Sequence, residues 1–455
     1  MEKIKVRIIE KIPTKLKNFL IIDINMKLLV GYLITNIIYL LIGSYIYFTG
    51  KIIDWFHYKE YSLGLKYLFV VNIIVFLVII VRKKYKKNIV HIGIALATIF
   101  GIISTIFAYD RSIALEGCWG RYEGLYSCFY YLSLMLLSTF VSNKYKKVLV
   151  NTILICGAIQ ALYAVCQVFS LFNVKQYFYK TVCWDYDIKQ IVPIEELWVI
   201  GFTNNPNFFG AYMLICLSYS FGLFIDSKKD YQNIIYALFS VLFMFGLLIG
   251  NSSSSAVGLL FVFAYISIYS LKNKKYLKLL AIFTIIIFTT CLAVKLDKTT
   301  LLKDLLKVGN EATEVAKGNL DDSYGSDRMY IWKETMKIVP NHIWHGVGID
   351  SFHKAFNGEA LILKMPGKNI LYDKAHNEYL QTLVTQGIFA LISYLALYGY
   401  ISFYGIRNSF KYNEIYLVLP VIGYLVQAFF NISVIEVAPL FYIALGLCSG
   451  RKKDK

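Results

Sequence analysis

Charge is scarce in this chain of 455 residues: 17% of it is Asp, Glu, Lys or Arg, against about 25% in an average soluble domain. Together with a hydrophobic share of 57%, that scarcity excludes an ordinary soluble globule and points to an integral membrane protein. The eight cysteines are scattered and contain no C-x-x-C pair, so no redox or zinc motif is encoded. Six of them lie in or beside apolar runs, as small buried hydrophobes do. Cys118 and Cys183 fall in outer loops, where an oxidising compartment would allow a disulfide. No Asp pair or His cluster has metal-ligand spacing, and no fixed-period repeat is evident. Residues 1–27 are too charged for the apolar centre of a secretion signal; they read as a basic amphipathic arm on an anionic inner leaflet. The net charge of +18 does not signal a nucleic-acid partner. The basic residues sit in short clusters beside apolar runs, which is the positive-inside pattern.

What the chain does have is a series of apolar runs of about bilayer-spanning length. They lie at 28–48, 66–81, 88–107, 124–142, 148–170, 208–225, 234–250, 256–271, 278–296, 379–402, 415–431 and 434–449. Basic clusters occupy 82–87 (RKKYKK), 143–147 (NKYKK), 227–229, 272–278 (KNKKYLK), 407–411 and 451–455 (RKKDK). With the N-terminus inside, twelve helices place every cluster in the cytoplasm, and adding or dropping one helix breaks the agreement. The expected fold is therefore all-α: a polytopic membrane protein with about 12 transmembrane helices and cytoplasmic termini. Its expected parts are a basic N-terminal arm (1–27), helices 1–9 (28–296), a large extracytoplasmic segment (297–378), helices 10–12 (379–449) and a basic tail (450–455).

The 297–378 segment carries 11 Lys/Arg against 12 Asp/Glu, a balance expected of a translocated, mostly helical domain. The pattern predicts helices over 298–316 and 327–339, the second with Met329, Trp332 and Met336 along one face. A turn follows at Gly346-Val347-Gly348. Asp350 or Ser351 then caps a short helix through Phe356, and Pro366-Gly367 breaks the chain again.

Lipid excludes charge, so polar residues at outer helix ends bear on function. Four clusters qualify. In Gly120-Arg121-Tyr122-Glu123-Gly124, Arg121 has the planar fork that clamps phosphate, or snorkels to head groups. In Gly201-Phe202-Thr203-Asn204-Asn205-Pro206-Asn207, the Asn and Pro residues fit a turn and helix cap, while Asn205 and Asn207 could also bond sugar hydroxyls or phosphate oxygens. In Ser326-Asp327-Arg328, Ser326 or Asp327 can cap the next helix. A cation in its first turn, Arg328, opposes the helix dipole unless an anion occupies the site; pairing with Asp321 or Asp322 is the structural alternative. In Lys374-Ala375-His376-Asn377-Glu378, Asp373 is the expected cap and His376 falls in the first turn. There the positive helix end would keep the imidazole neutral, as a general base requires, and would favour a pyrophosphate. The serine run 252–255 after Asn251 reads as a short turn that lets two helices approach closely.

These clusters, in this order, resemble the O-antigen ligase and O-antigen polymerase superfamily. The likeness is strongest over 326–390: SDRMYIW, then HGVGIDSF, then KAHNEYLQTLVTQGIFAL. The family pattern is an R-x-x-x-W helix, a G-x-G-x-D-x-F turn and a His-Asn-x-x-Leu segment entering a helix, with a Gly about ten residues on. Arg328, Trp332, Gly346, Gly348, Asp350, Phe352, His376, Asn377, Leu380 and Gly387 fill those places. One departure is the run 251–256 (NSSSSA), where family members often carry an Arg; Arg121, Arg328 or Lys374 would then carry more of the phosphate load.

The resemblance implies a metal-free, cofactor-free glycosyltransferase of the bacterial plasma (inner) membrane. Its donor would be an undecaprenyl-pyrophosphate-linked glycan, and its acceptor a glycan, lipid or protein hydroxyl at the outer leaflet. On that reading the catalytic residues are His376 (taking or orienting the acceptor proton), Arg328 (on the pyrophosphate) and Glu378 (helper). Arg121, Lys374, Asn377, Asn205 and Asn207 bind substrate. A polymerase joining repeat units on the carrier is the alternative within the same chemistry. A transporter or flippase is the alternative outside it, disfavoured because the spans carry almost no charge at mid-depth.

Overall fold

In lipid a backbone has no water to bond, so a long apolar run must satisfy its own N–H and C=O groups, and a helix does so within one segment. The computed structural model describes residues 14–48, 55–82, 88–118, 121–185, 190–356, 361–365 and 368–449. The start of the N-terminal arm, most of the 82–87 cluster, the 451–455 cluster, Gly120, the Pro366-Gly367 break and the Cys183 side chain lie outside the described residues. Among these residues, nine helices are long and apolar enough to cross a membrane. They are α1 (Thr14–Phe48), α2 (Trp55–Arg82), α3 (Ile89–Ile106), α6 (Asn143–Phe169), α7 (Pro206–Asp226), α8 (Asp230–Ile249), α9 (Ser253–Lys272), α10 (Tyr276–Lys295) and α14 (Ile388–Tyr412). Three shorter apolar helices complete the set: α5 (Leu125–Ser138), α15 (Ile415–Ala428) and α16 (Ala438–Ser449). Each of the twelve apolar runs contains one of these helices or most of it, as the all-α polytopic reading expected.

The helix α7 is the hub. Phe208 to Ile225 are all buried, and small residues set how close its neighbours come. A Cβ at Gly210 would lie 2.5 Å from the Ser252 Cβ, and one at Gly222 would lie 2.3 Å from the Tyr416 Cα of α15. The serine run thus does what its small side chains predicted: α9 meets α7 at close range. Peripheral helices instead show large apolar side chains outward, such as Ile74 and Leu77 on α2 and Leu277 and Leu280 on α10, the faces that lipid would cover. At the C-terminal end of α7, Lys278 Nζ donates to Phe224 O at 2.8 Å and Lys275 Nζ pairs with Asp226 at 3.3 Å. Lys272 stands over the Phe410 ring, and Lys147 over that of Tyr416. Four basic clusters therefore gather at one end of the bundle, a helix length away from Asn207.

The other end differs from the sequence reading in detail. The run expected to start a span at 379 is two helices: α13 (Glu378–Gln386) and then α14. Gly387 separates them with φ +85, and a Cβ there would sit 2.4 Å from Trp344 O. The 297–378 segment holds α11 (Leu301–Ala316), α12 (Arg328–His342) and a short 3-10 turn (Phe352–Ala355). Around α12 lies a small core of its own, including Ile331, Val339, Val347, Phe352, Ala375 and Val384. The face of α12 that is buried is thus Ile331, Thr335 and Val339, one strip over from the predicted one. Met336 is exposed, and Trp332 packs on Phe429 with ring centroids 5.4 Å apart. Two antiparallel hairpins were not foreseen: β1 (Tyr177–Asp185) with β2 (Gln190–Trp198), and β3 (Leu361–Met365) with β4 (Lys368–Tyr372).

Candidate active site

Six consecutive residues, 373–378, tie together four distant pieces of chain. Asp373 takes Arg121, whose Nε donates to Oδ2 at 2.7 Å and whose Nη2 donates to Oδ1 at 3.4 Å. Lys374 is buried against Asp350 in a direct ion pair. The Ala375 carbonyl accepts the Trp332 indole N–H at 3.0 Å, and its own N–H donates to Gln381 Oε1 at 2.9 Å. Asn377 caps α13 by accepting the N–H groups of Tyr379 and Leu380, both at 3.0 Å. The Glu378 carboxylate accepts the Ser433 N–H at 2.7 Å. The cap is therefore Asn377 and not Asp373, and His376 precedes the helix instead of lying in its first turn. Its φ of +49 is a left-handed conformation that a non-glycine residue adopts at a cost.

His376 is half-buried between anchored neighbours. Burial first, and the Arg328 charge second, push its pKa down to about 4, while Asp373 acts the other way. Desolvation and the neighbouring guanidinium both favour the neutral imidazole, where the sequence suggested a helix end as the cause. Arg328 acts on His376 electrostatically, and the Trp332 bond to Ala375 ties the two segments together. Arg328 itself opens α12, with Nη1 donating to Gly325 O at 2.7 Å. Asp327 stands at the cap position in a left-handed conformation without a side-chain capping bond. Asp322 pairs with Lys333 at 2.5 Å.

Beneath the 373–378 segment lies an ionic network. Asp350 Oδ2 also accepts the N–H groups of Cys118 at 2.6 Å and Glu123 at 3.0 Å. Asp350 thus turns inward in a left-handed conformation (φ +59) and does not cap the 3-10 turn. Glu123 accepts the Tyr131 hydroxyl at 2.9 Å. Burial raises the Glu123 pKa against the pull of Lys374, and burial lowers that of Lys374 against the pull of Glu123. At Asp373 burial opposes the charge, yet Arg121 prevails and holds the carboxyl below its ordinary value. Burial likewise raises Glu378. Glycines let this network close. The N–H groups of Val347 and Gly348 donate to the carbonyls of Val384 (3.1 Å) and Thr385 (3.0 Å), and a Cβ at Gly346 would lie 2.2 Å from the Thr385 carbonyl carbon.

A cleft of about 820 Å³ opens beside Arg328. Arg328 and Ser326 form one wall, Asn207, Asn251 and Ser254 another, and Lys298 and Lys307 approach from α11 and the turn before it. Asn207 accepts the Ser252 hydroxyl at 3.0 Å. Asn205 is occupied as the cap of α7, its side chain accepting the Asn207 N–H at 2.8 Å. Hydroxyls and amides beside one guanidinium form a surface suited to a sugar next to a phosphate.

Of the residues singled out from sequence, Arg328 and Asn207 line this cleft. Arg121, Lys374 and Glu378 engage Asp373, Asp350 and Ser433, and Asn377 and Asn205 cap helices. Sequence reasoning missed the partners: Asp373 as the seat of Arg121, and Asp350 and Glu123 around Lys374. The sole advance signal was Asp350 in the G-x-G-x-D-x-F turn. Among the described residues no group of three or more His, Cys, Asp or Glu side chains is arranged to hold a metal ion. Residues 238–395 match the family described as O-antigen ligase, a stretch that takes in Arg328, Trp332, Asp350 and His376. No curated protein matches the chain.

Proposed function

We propose that this multi-pass chain, whose residues 238–395 match the O-antigen ligase family, works in polysaccharide assembly and moves a glycan from a polyprenyl-pyrophosphate carrier to an acceptor hydroxyl at the outer leaflet of a bacterial plasma membrane. Both termini are then cytoplasmic, on the side of the lysine clusters. In this reading the donor glycan lies along the cleft past Asn207, with its pyrophosphate on Arg328. The acceptor oxygen attacks the anomeric carbon, and the bond from that carbon to the pyrophosphate oxygen breaks. The carrier pyrophosphate leaves with the electron pair, its growing charge met by Arg328. The acceptor proton passes to His376. An anion on Arg328 offsets the charge that depresses the imidazole, so donor binding itself makes His376 a better base. Arg121, Lys374, Asn377 and Glu378 hold the 373–378 segment in place.

The observation that carries this reading is the 3.0 Å bond from Trp332 to Ala375, which ties the segment that bears Arg328 to the one that bears His376. The test is transfer by purified protein from a polyprenyl-pyrophosphate-linked oligosaccharide. His376→Ala should lower kcat by about 100-fold or more, within the usual range for a lost general base, and Arg328→Ala by a similar factor. Wild-type rates in both variants would refute the assignment. The acceptor used in the productive assay separates ligase from polymerase.

A further inference from the structure

Arg328 is useful only if its guanidinium stays aimed at the cleft, and the chain before it is poorly suited to hold it there. Gly325, Ser326 and Asp327 all have positive φ (+63, +57 and +66). Three such residues in a row, two of them with side chains, persist only where surrounding contacts over-determine them. A contact from α11 reaches this turn. The Gly325 N–H donates to Glu311 Oε2 at 2.9 Å, fourteen residues earlier on α11. The carbonyl of the same Gly325 receives Arg328 Nη1 at 2.7 Å. Glu311, Gly325 and Arg328 thus form a chain of two hydrogen bonds through one residue, and all three line the cleft.

The far end of that chain is fixed. Thr299 Oγ1 and Thr300 N both donate to Asn251 Oδ1 at 2.9 Å, and Leu301 is buried, so α11 is pinned to the turn between α8 and α9. The Glu311 side chain is largely covered, with Lys307 one helical turn away at 3.8 Å, and the ionised carboxylate makes the stronger acceptor. We propose that Glu311 is a positioning residue for Arg328: it seats the left-handed turn whose carbonyl aims the guanidinium at the leaving group. Glu311 touches no reacting atom. This rests on the role given to Arg328 above.

The experiment compares Glu311→Met, Glu311→Ala and Glu311→Gln with Arg328→Ala in the same transfer assay, using a polyprenyl-pyrophosphate-linked oligosaccharide. Met keeps the length and helix preference of Glu without an acceptor oxygen, so it decides the matter should Ala fold poorly. Gln retains a carbonyl that accepts the Gly325 N–H. The expected result is a fall in kcat of about tenfold or more for Met and Ala with KM changed less than about threefold, since a displaced clamp is felt most in the transition state. Gln should restore kcat to within about threefold of wild type. A wild-type kcat in Glu311→Met beside an inactive Arg328→Ala overturns the positioning role alone, as does a Gln variant no better than Met. A wild-type rate in Arg328→Ala overturns the functional reading and the positioning role together.

Discussion

Replacing Asp350 is the sharpest test of how the 373–378 segment is held. The side chain of Asp350 is fully buried and that of its partner Lys374 is 4% exposed, so the small value of a surface ion pair does not apply. Removing one member of a buried pair strands the other charge, which typically costs about 3–5 kcal/mol. Asp350→Ala also takes the acceptor from two N–H groups, those of Cys118 and Glu123 at 2.6 and 3.0 Å, each loss worth about 1–3 kcal/mol. These terms share one site and do not add fully, so about 5 kcal/mol is expected. Asp350→Asn keeps an oxygen for the backbone N–H groups but turns an amide NH2 toward Lys374, so it loses the charge and the acceptor of the ammonium, for about 3 kcal/mol. Adding Lys374→Met to Asp350→Asn removes the stranded ammonium and should recover most of that loss, because an uncharged pair of similar volume is tolerated. Thermal unfolding in detergent, followed by tryptophan fluorescence, should show a Tm drop on the order of 10 °C for Asp350→Ala, a smaller one for Asp350→Asn and a partial return in the double variant. An Ala variant within about 2 °C of wild type, or a double variant no more stable than Asp350→Asn, would refute the buried-pair account.

Two further outcomes follow from other parts of the site. Arg328→Gln removes the positive charge that disfavours the imidazolium, so the His376 pKa should rise from about 4; histidine NMR in nanodiscs reads it, and an unchanged or lower midpoint contradicts the electrostatic coupling of the two groups. Gly387→Ala puts a Cβ 2.4 Å from Trp344 O at a φ of +85 and should cost at least about 2 kcal/mol, seen as a lower Tm and faster proteolysis in the 343–390 region; a wild-type Tm would mean that the break between α13 and α14 is not required.

Hydropathy and lysine placement revealed the helical bundle because both act over whole segments. A span needs an apolar run, and a cluster such as KNKKYLK marks one of its ends without reference to any distant residue. Arg328, Trp332 and His376 were legible for another reason: they sit in a motif whose order is itself informative. What stayed hidden were pairings between remote residues. Nothing in the local sequence joins Arg121 to Asp373 or Glu311 to Gly325, since such partners are chosen by packing. The cap of α13 was missed because Asp373 and Asn377 are both good capping residues, and Arg121 already occupies the first. The strip on α12 was misplaced because Trp332 and Met336 are large and apolar, while the buried strip includes Thr335, whose hydroxyl satisfies itself on Ile331 O at 2.6 Å.

The anchoring of residues 373–378 has a consequence for change over generations. Its neighbours on both sides are fastened to different walls, so the histidine has no slack: one residue inserted or deleted would set every downstream fastener against the wrong socket. Variation is freer around the rim, at Asn207 and along α11 away from Glu311, where side chains face the cleft without fixing that stretch. A descendant that switches to a new sugar should therefore leave the six-residue hexad its length and alter the rim.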